Sequence, residues 1–428
     1  MIYNSGLRVV LEEWNLWDKR FPHSVHREAK KGILERWDQG HVIVLTGVRR
    51  CGKSTLMRQM MQELSERFSS EQMLQLNFED PRLAEDLNFK LIDRCLSLHR
   101  QTRCPDKPVY LFLDEVQLVE GWERWVRTQL ERQEKLFLCL SGSNASLLSG
   151  ETATALTGRH HSFEVTPFSF NEFVRGYYQS SENRSFYLAQ YLKEGGFPAI
   201  IRRQVTQPEE TLRQYFDDIL VRDIAKRIGS RTGQMLRQIA HMLMDGAGSE
   251  QSLTRLSKLT KISVETIREF VSAYEQAFLL FEVPYFSYSV RQRSVRNKKY
   301  YPVDTALRRS VLPRRGEDWG KDAETIVYLE LRRWVREISY WKGKREIDFI
   351  VSRGREILPI QVTVHEEENH RSSVKEAFEE FYGHHPFSEA LVLSSAPAFE
   401  EKTDSYRIRY IPLIDFLNQA GTFLENYL

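Results

Sequence analysis

The sequence predicts an α/β protein whose first large domain is a parallel sheet flanked by helices, followed by helical and smaller α/β units. Three observations carry this. The apolar run Val42-Ile43-Val44-Leu45 passes through a glycine-bounded loop into the helical run Leu56-Met57-Arg58-Gln59-Met60-Met61. A second apolar run, Val109-Tyr110-Leu111-Phe112-Leu113, ends in the pair Asp114-Glu115. A third, Leu136-Phe137-Leu138-Cys139-Leu140, ends in Ser141-Gly142-Ser143-Asn144. Short continuous apolar runs spaced by helix-length segments suit strands buried on both faces of a parallel sheet.

The loop after the first run, Gly47-Val48-Arg49-Arg50-Cys51-Gly52-Lys53-Ser54-Thr55, matches G-x-x-x-x-G-K-[ST] at every fixed position. Glycine at 47 and 52 lets the backbone take unusual dihedrals and approach a phosphate. Loop amides and the following helix N-terminus then present positive partial charge to an anion. Lys53 suits the β- and γ-phosphates, and the Ser54 hydroxyl suits Mg²⁺. Gly47, Arg49, Gly52, Lys53, Ser54 and Thr55 are therefore the candidate nucleotide contacts. The paired acids lie about 60 residues downstream, at the strand end where parallel sheets bind ligands. Asp114 is placed to hold Mg²⁺, directly or through water, and Glu115 to polarise an attacking water. Ser143 and Asn144, at the tip of the third strand, both qualify to sense a terminal phosphate, and Asn144 is preferred.

Bulk properties bound the rest. At 428 residues the chain exceeds one core, so several domains are expected. Hydrophobic content of 41% with 28% charged residues suits a soluble globular protein. A net charge of only +2 means that any polyanion site must be local. No apolar run has membrane-span length, and Met1 to Gly6 lacks a basic n-region with an apolar h-region. Cys51, Cys95, Cys104 and Cys139 form no CxxC pair, which suits a reducing cytoplasm without a disulfide framework or zinc site.

In chain order, residues 1–40 read as a helical lead-in interrupted at Pro22. Residues 41–169 form the nucleotide core. Met73 to Phe78 is a further strand, and Arg159, in Leu156-Thr157-Gly158-Arg159, is a candidate arginine finger, acting in cis or from a neighbouring subunit. Residues 170–240 read as a helical lid, with Arg222 able to contact nucleotide or to make a salt bridge. Residues 241–317 read as a winged helix: Leu253, Leu256 and Leu259 mark one helix. Ser263 caps the next, whose Ile267, Phe270, Val271 and Tyr274 share a face. The segment from Tyr285 to Gly316 carries nine basic residues against the single acid Asp304, a local charge of +8. Arg291, Arg293, Arg296, Lys298 and Lys299, interleaved with tyrosines, are its candidate contacts to DNA or RNA.

Several stretches together resemble prokaryotic AAA+-type P-loop ATPases with a long C-terminal domain of uncharacterised function. They are Leu45-Thr46-Gly47-Val48-Arg49, Leu113-Asp114-Glu115-Val116-Gln117 with Gly121-Trp122, Ser141-Gly142-Ser143-Asn144, Leu156-Thr157-Gly158-Arg159, Pro167 to Phe173, and Gly195-Gly196-Phe197-Pro198. The resemblance runs in order from about residue 40 to 365. It implies ATP as the nucleotide, a homo-oligomer as a candidate assembly, and the order nucleotide domain, helical lid, winged helix, C-terminal α/β unit. Residues 318–428 resemble the restriction-endonuclease-like PD-(D/E)xK fold. There Asp348 matches the strand acid, Glu324 the helix acid and Gln361 the third position, while Thr363 stands where the lysine belongs. Lys342, Lys344 and Arg345 are the neighbouring cations that could replace it, and the missing lysine makes the domain read as a degenerate nuclease fold kept for binding or scaffolding. These features predict a cytoplasmic, Mg²⁺-dependent, ATP-binding and ATP-hydrolysing switch. The rival readings are an ATP-gated nuclease and a nucleotide-regulated DNA-binding adaptor.

Overall fold

The computed structural model describes residues 4–15, 17, 21–37, 42–132, 135–148, 156, 158–177, 184–201, 205–229, 233–313, 318–363 and 368–425. Thr157 and Gly316, invoked above, lie outside them, as do Arg314 and Arg315, the last two of the nine basic residues. The chain divides into two compact units, Met1–Thr166 with Gln276–Phe278, and Pro167–Glu275 with Leu279–Leu428.

The first unit is a parallel sheet of β1 (Val42–Thr46), β2 (Met73–Asn77), β3 (Val109–Asp114), β4 (Leu136–Gly142) and β5 (His160–Glu164), in the order β2-β3-β4-β1-β5. Every neighbouring pair is parallel. Parallel neighbours need crossovers, and α3 (Lys53–Leu64), α4 (Phe89–Thr102) and α5 (Trp122–Arg132) supply them. Strands β1 and β3 are buried along their whole length, which is why each is an unbroken apolar run. The register sets Thr46 beside Gly142 and Leu113 beside Leu140, so the carboxyl ends of β1, β4 and β3 finish level. Three chain segments therefore leave the sheet at one edge, where the strand order reverses.

The lead-in is helical over α1 (Asn4–Trp14) and α2 (Ala29–Trp37). Leu7, Val10 and Leu11 of α1 join the core formed with Leu74, Leu76 and Leu111. Asn15 follows α1 and finishes the free edge of β2. Its amide donates to the Gln75 carbonyl at 3.1 Å and its carbonyl accepts the Gln75 N–H at 2.6 Å. A side-chain amide thus takes the place of a sixth strand and blocks edge-to-edge pairing.

The second unit begins with a helical segment, Phe170–Tyr177 to Gly233–Asp245, broken by a π-helical turn at Ile219–Ala225. Within that turn Arg222 pairs with Asp218 at 3.2 Å, the salt-bridge option for this residue. The Gly195-Gly196 stretch is structural. The Gly196 N–H donates to Asp304 Oδ2 at 2.6 Å, its carbonyl accepts from the Phe168 N–H at 2.8 Å, and a Cβ at 196 would lie 2.6 Å from the Phe168 carbonyl oxygen.

Helices Leu253–Thr260 and Val264–Gln276 follow, capped by Ser252 and Ser263 through hydrogen bonds to Arg255 N and Thr266 N. The antiparallel pair β6 (Leu280–Val283) and β7 (Lys299–Pro302) comes next, with the short helix Val290–Val295 between its strands.

The C-terminal part is a six-stranded sheet. It comprises β8 (Ile338–Lys342), β9 (Glu346–Arg353), β10 (Glu356–Val362), β11 (Glu389–Ser394), β12 (Phe399–Lys402) and β13 (Arg407–Pro412), in the order β12-β13-β11-β10-β9-β8. β8, β9 and β10 form an antiparallel meander, and β10, β11 and β13 run parallel. Helices Trp319–Trp334, Glu368–His384 and Leu413–Glu425 complete it.

Candidate nucleotide site

The loop from Gly47 to Gly52 turns through three residues with positive φ: Gly47 at 146°, Arg50 at 70° and Gly52 at 104°. Gly47 has no room for a side chain, since a Cβ there would stand 2.0 Å from the Val165 carbonyl oxygen. The first turn of α3 has no side-chain cap, because Gly52 occupies the N-cap position. Its N–H groups therefore have no partner from a capping side chain, the condition under which a helix N-terminus accepts an anion.

Lys53 opens α3 and is 4% exposed. Its ammonium donates to the carbonyls of Gly47 at 3.0 Å and Val48 at 3.3 Å, and lies 3.6 Å from Glu115 Oε1. Ser54, one residue on, is close enough to the Asp114 carboxylate to favour its ionised form. The loop and the paired acids, distant in sequence, thus come together.

Asp114 ends β3 with its side chain buried. Burial pushes its carboxyl above the usual range, and the Ser141 and Ser54 hydroxyls oppose that shift. Desolvation that disfavours a carboxylate is what a divalent cation offsets, so Ser54 and Asp114 fit Mg²⁺. Ser141 donates to Asp114 Oδ1 and accepts the Glu115 N–H at 3.1 Å. It holds both acids in register.

Glu115 sits in the left-handed region, φ 55°, which turns its side chain out of the strand direction. Burial alone would raise its carboxyl. The Lys53 ammonium, the Gln117 amide, Arg49 and Ser143 outweigh burial and hold it below the usual range, hence ionised. An ionised, buried carboxylate beside a lysine is suited to orient and polarise a water.

The sequence-derived candidates separate cleanly. Lys53, Ser54, Asp114 and Glu115 converge. Arg49 pairs with Glu79 at 2.6 Å. Thr55 is on the exposed side of α3. Asn144 is buried just beyond β4, where Ser143 hydrogen-bonds Glu115. Arg159 stands apart from these residues. Its carbonyl accepts the Val42 N–H at 2.9 Å, so it stands at the amino end of β1 and is exposed. The phosphate loop leaves the other end, four residues on, about 13 Å away at ~3.3 Å per residue. Action in cis does not fit that placement.

Two residues escaped the sequence reading. Arg27 donates to the Cys51 carbonyl at 3.1 Å and the Thr166 carbonyl at 2.6 Å, bracing the loop from below. Ser141 lay in a quoted stretch, but only the β3–β4 register turns it towards the acids. Nothing in the local pattern marks Arg27.

The basic segment also needs correction. Lys299 is wholly buried on β7, against Glu346, so it cannot touch nucleic acid. Lys298 is half-buried and pairs with Glu282. Arg308 and Arg309 pair with Asp322. Arg291, Arg293 and Arg296 remain exposed.

Comparison with known proteins adds the following. An AAA domain family matches residues 39–174. Two domains of unknown function, DUF8612 and DUF4143, match residues 185–318 and 319–414. An uncharacterised protein of Haemophilus influenzae is 32% identical over 351 residues, covering 79% of this chain and 86% of that protein. An uncharacterised Methanocaldococcus jannaschii protein, MJ1544, is 29% identical over 353 residues, covering 77% and 76%. The Walker-type ATPase PABY2304 of Pyrococcus abyssi superposes with a TM-score of 0.44 at 15% identity, over 70% of this chain and 99% of that one. Among the described residues, no helix is long and apolar enough to cross a membrane.

Proposed function

We propose that this chain, which belongs to the same protein family as the Haemophilus influenzae relative and carries an AAA domain, is a Mg²⁺-dependent ATPase whose nucleotide state acts as a switch. The observation that carries the reading is the meeting of Lys53 with Glu115, 3.6 Å apart, beside Asp114 at the carboxyl edge of the parallel sheet. In this reading the loop amides and Lys53 bind the triphosphate, and Ser54 and Asp114 hold Mg²⁺. The metal supplies charge neutralisation at the phosphates when bound. Lys53 exchanges its loop carbonyls for phosphate oxygens while its charge continues to favour ionised Glu115. Glu115 then takes the proton of a water aligned on the terminal phosphate. Gln117 and Ser143 keep the carboxylate aimed.

The test is phosphate release from ATP by the purified chain with Mg²⁺, with and without excess EDTA. Turnover that stops with EDTA supports the reading. A chain that neither binds nor turns over ATP under any divalent condition ends it.

A second reading concerns a partner. Arg291, Arg293 and Arg296 stand exposed around the helix Val290–Val295, next to the exposed Tyr288, and suit a phosphate backbone of DNA or RNA. Three phosphate contacts predict a shallow salt dependence, with a slope of roughly −3 in log affinity against log salt. Replacing the three arginines by glutamine should remove that slope. Unchanged binding and slope would exclude this surface.

A further inference from the structure

The resemblance of residues 318–428 to metal-dependent nucleases implies a divalent cation among Glu324, Asp348 and Gln361. The residues present do not fit one. Lys299, 0% exposed on β7, places its ammonium 2.6 Å from Glu346 Oε1 and 3.6 Å from Asp348 Oδ1, and also faces Glu324. Other oxygens of the three acids are engaged as well. Asp348 Oδ2 accepts from Gln361 Nε2 at 2.6 Å and from the Val362 N–H at 2.9 Å. Glu324 Oε2 accepts from the Tyr301 hydroxyl at 3.2 Å. Glu346 Oε2 lies 3.3 Å from Lys342, which also pairs with Glu250 at 3.1 Å. Among the described residues, no group of three acids, histidines or cysteines has the geometry to hold a metal ion.

We propose that the Lys299 ammonium is the resident cation of the Glu324–Glu346–Asp348 cluster, replacing a divalent metal and fastening the β6–β7 pair to the β8–β10 meander. The argument is electrostatic. Three acids brought together and partly desolvated repel one another when ionised, which pushes Glu324 and Asp348 towards the neutral form, and a neighbouring positive charge opposes that. A metal supplies it only while bound, whereas a lysine on a neighbouring strand supplies it permanently. A metal entering this cluster would displace a buried ammonium that has no water to receive it. Thr363, which stands where the nuclease pattern has lysine, does not reach this role. Its N–H is taken by the Leu393 carbonyl at 2.8 Å, as a strand partner would be. The cluster is thus a built-in ionic clasp and not a cleavage centre.

The experiment uses the full chain, nucleotide-free and carrying Asp114→Asn so that the first unit contributes no metal. Binding of Mn²⁺ is followed by electron paramagnetic resonance, and melting temperature with and without Mn²⁺. With Lys299 intact, Asp348→Asn and Glu346→Gln should leave Mn²⁺ uptake unchanged. Lys299→Met should melt lower, and adding Asp348→Asn should recover part of that loss, because fewer uncompensated carboxylates then face one another. Mn²⁺ uptake by the Lys299-containing chain that disappears with either carboxylate variant would overturn the proposal. So would a folded Lys299→Met chain that melts at the same temperature as its Lys299-containing parent. The carboxylate arm stands by itself if Lys299→Met fails to fold, and no arm depends on ATP hydrolysis.

Discussion

Replacing Lys53 with methionine should abolish ATP turnover and weaken nucleotide binding by two orders of magnitude or more. The lysine is buried, and its ammonium donates to the Gly47 and Val48 carbonyls and lies 3.6 Å from Glu115 Oε1. In the proposed complex it trades the carbonyls for phosphate oxygens. Charged hydrogen bonds contribute about 1.5–3 kcal/mol each, so losing two corresponds to roughly a hundredfold or more. Methionine keeps the aliphatic stem packed and removes only the charge. A second effect adds to the first. Without the ammonium, the burial of Glu115 is less well opposed, and its carboxyl moves towards the neutral form that cannot act as a base. Titration with a fluorescent ATP analogue, together with phosphate release, reads both effects. A Lys53→Met chain that binds and hydrolyses ATP like wild type would dismantle the assignment of the loop.

Glu115→Gln should separate binding from chemistry. Glutamine preserves the length and the acceptor for Gln117 and Ser143, and leaves the backbone at φ 55° to the same constraints. It removes the proton acceptor. General-base catalysis supplies about 10²- to 10⁴-fold, so turnover should fall by at least a hundredfold. Nucleotide affinity should stay within a few-fold of wild type, because Lys53, Ser54 and Asp114 remain. The variant should accumulate ATP-bound chain in a rapid-filtration experiment. If affinity collapses while the turnover of bound nucleotide persists, Glu115 serves binding and another group activates the water.

The extent to which this site could be read in advance differed between its two halves for a physical reason. Lys53 and Ser54 belong to a contiguous loop whose chemistry is local: glycine dihedrals, a helix start and one cation within nine residues. Asp114 and Glu115 were legible because a strand buried on both faces is an unbroken apolar run, and its polar end stands out. The polar strand β5, His160–Glu164, is an edge strand with half-buried and exposed residues, so it has no such run and went unread. β8 and β12 were missed for a related reason. One is interrupted by a register shift between Ser339 and Trp341, and the other alternates charged residues at the sheet edge.

The basic segment shows the same limit from the other side. Counting charge gave +8 between Tyr285 and Gly316, but charge counts ignore direction. Adjacent residues on a strand point to opposite faces, so Lys298 reaches Glu282 while Lys299 turns inwards to Glu346 and Asp348. No local pattern distinguishes the two.

The amino-acid order alone determined the phosphate loop, the apolar strands that frame it, the cap at Ser263, and the acids that end β3, because each is a short-range consequence of residue type and period. Only the folded chain decided that Ser141 and Arg27 brace the site, that Arg159 stands at the far end of the sheet, and that Lys299 closes the acidic cluster. Each of those depends on which strands become neighbours and in what register, and that is settled by the packing of the whole sheet, not by any single stretch.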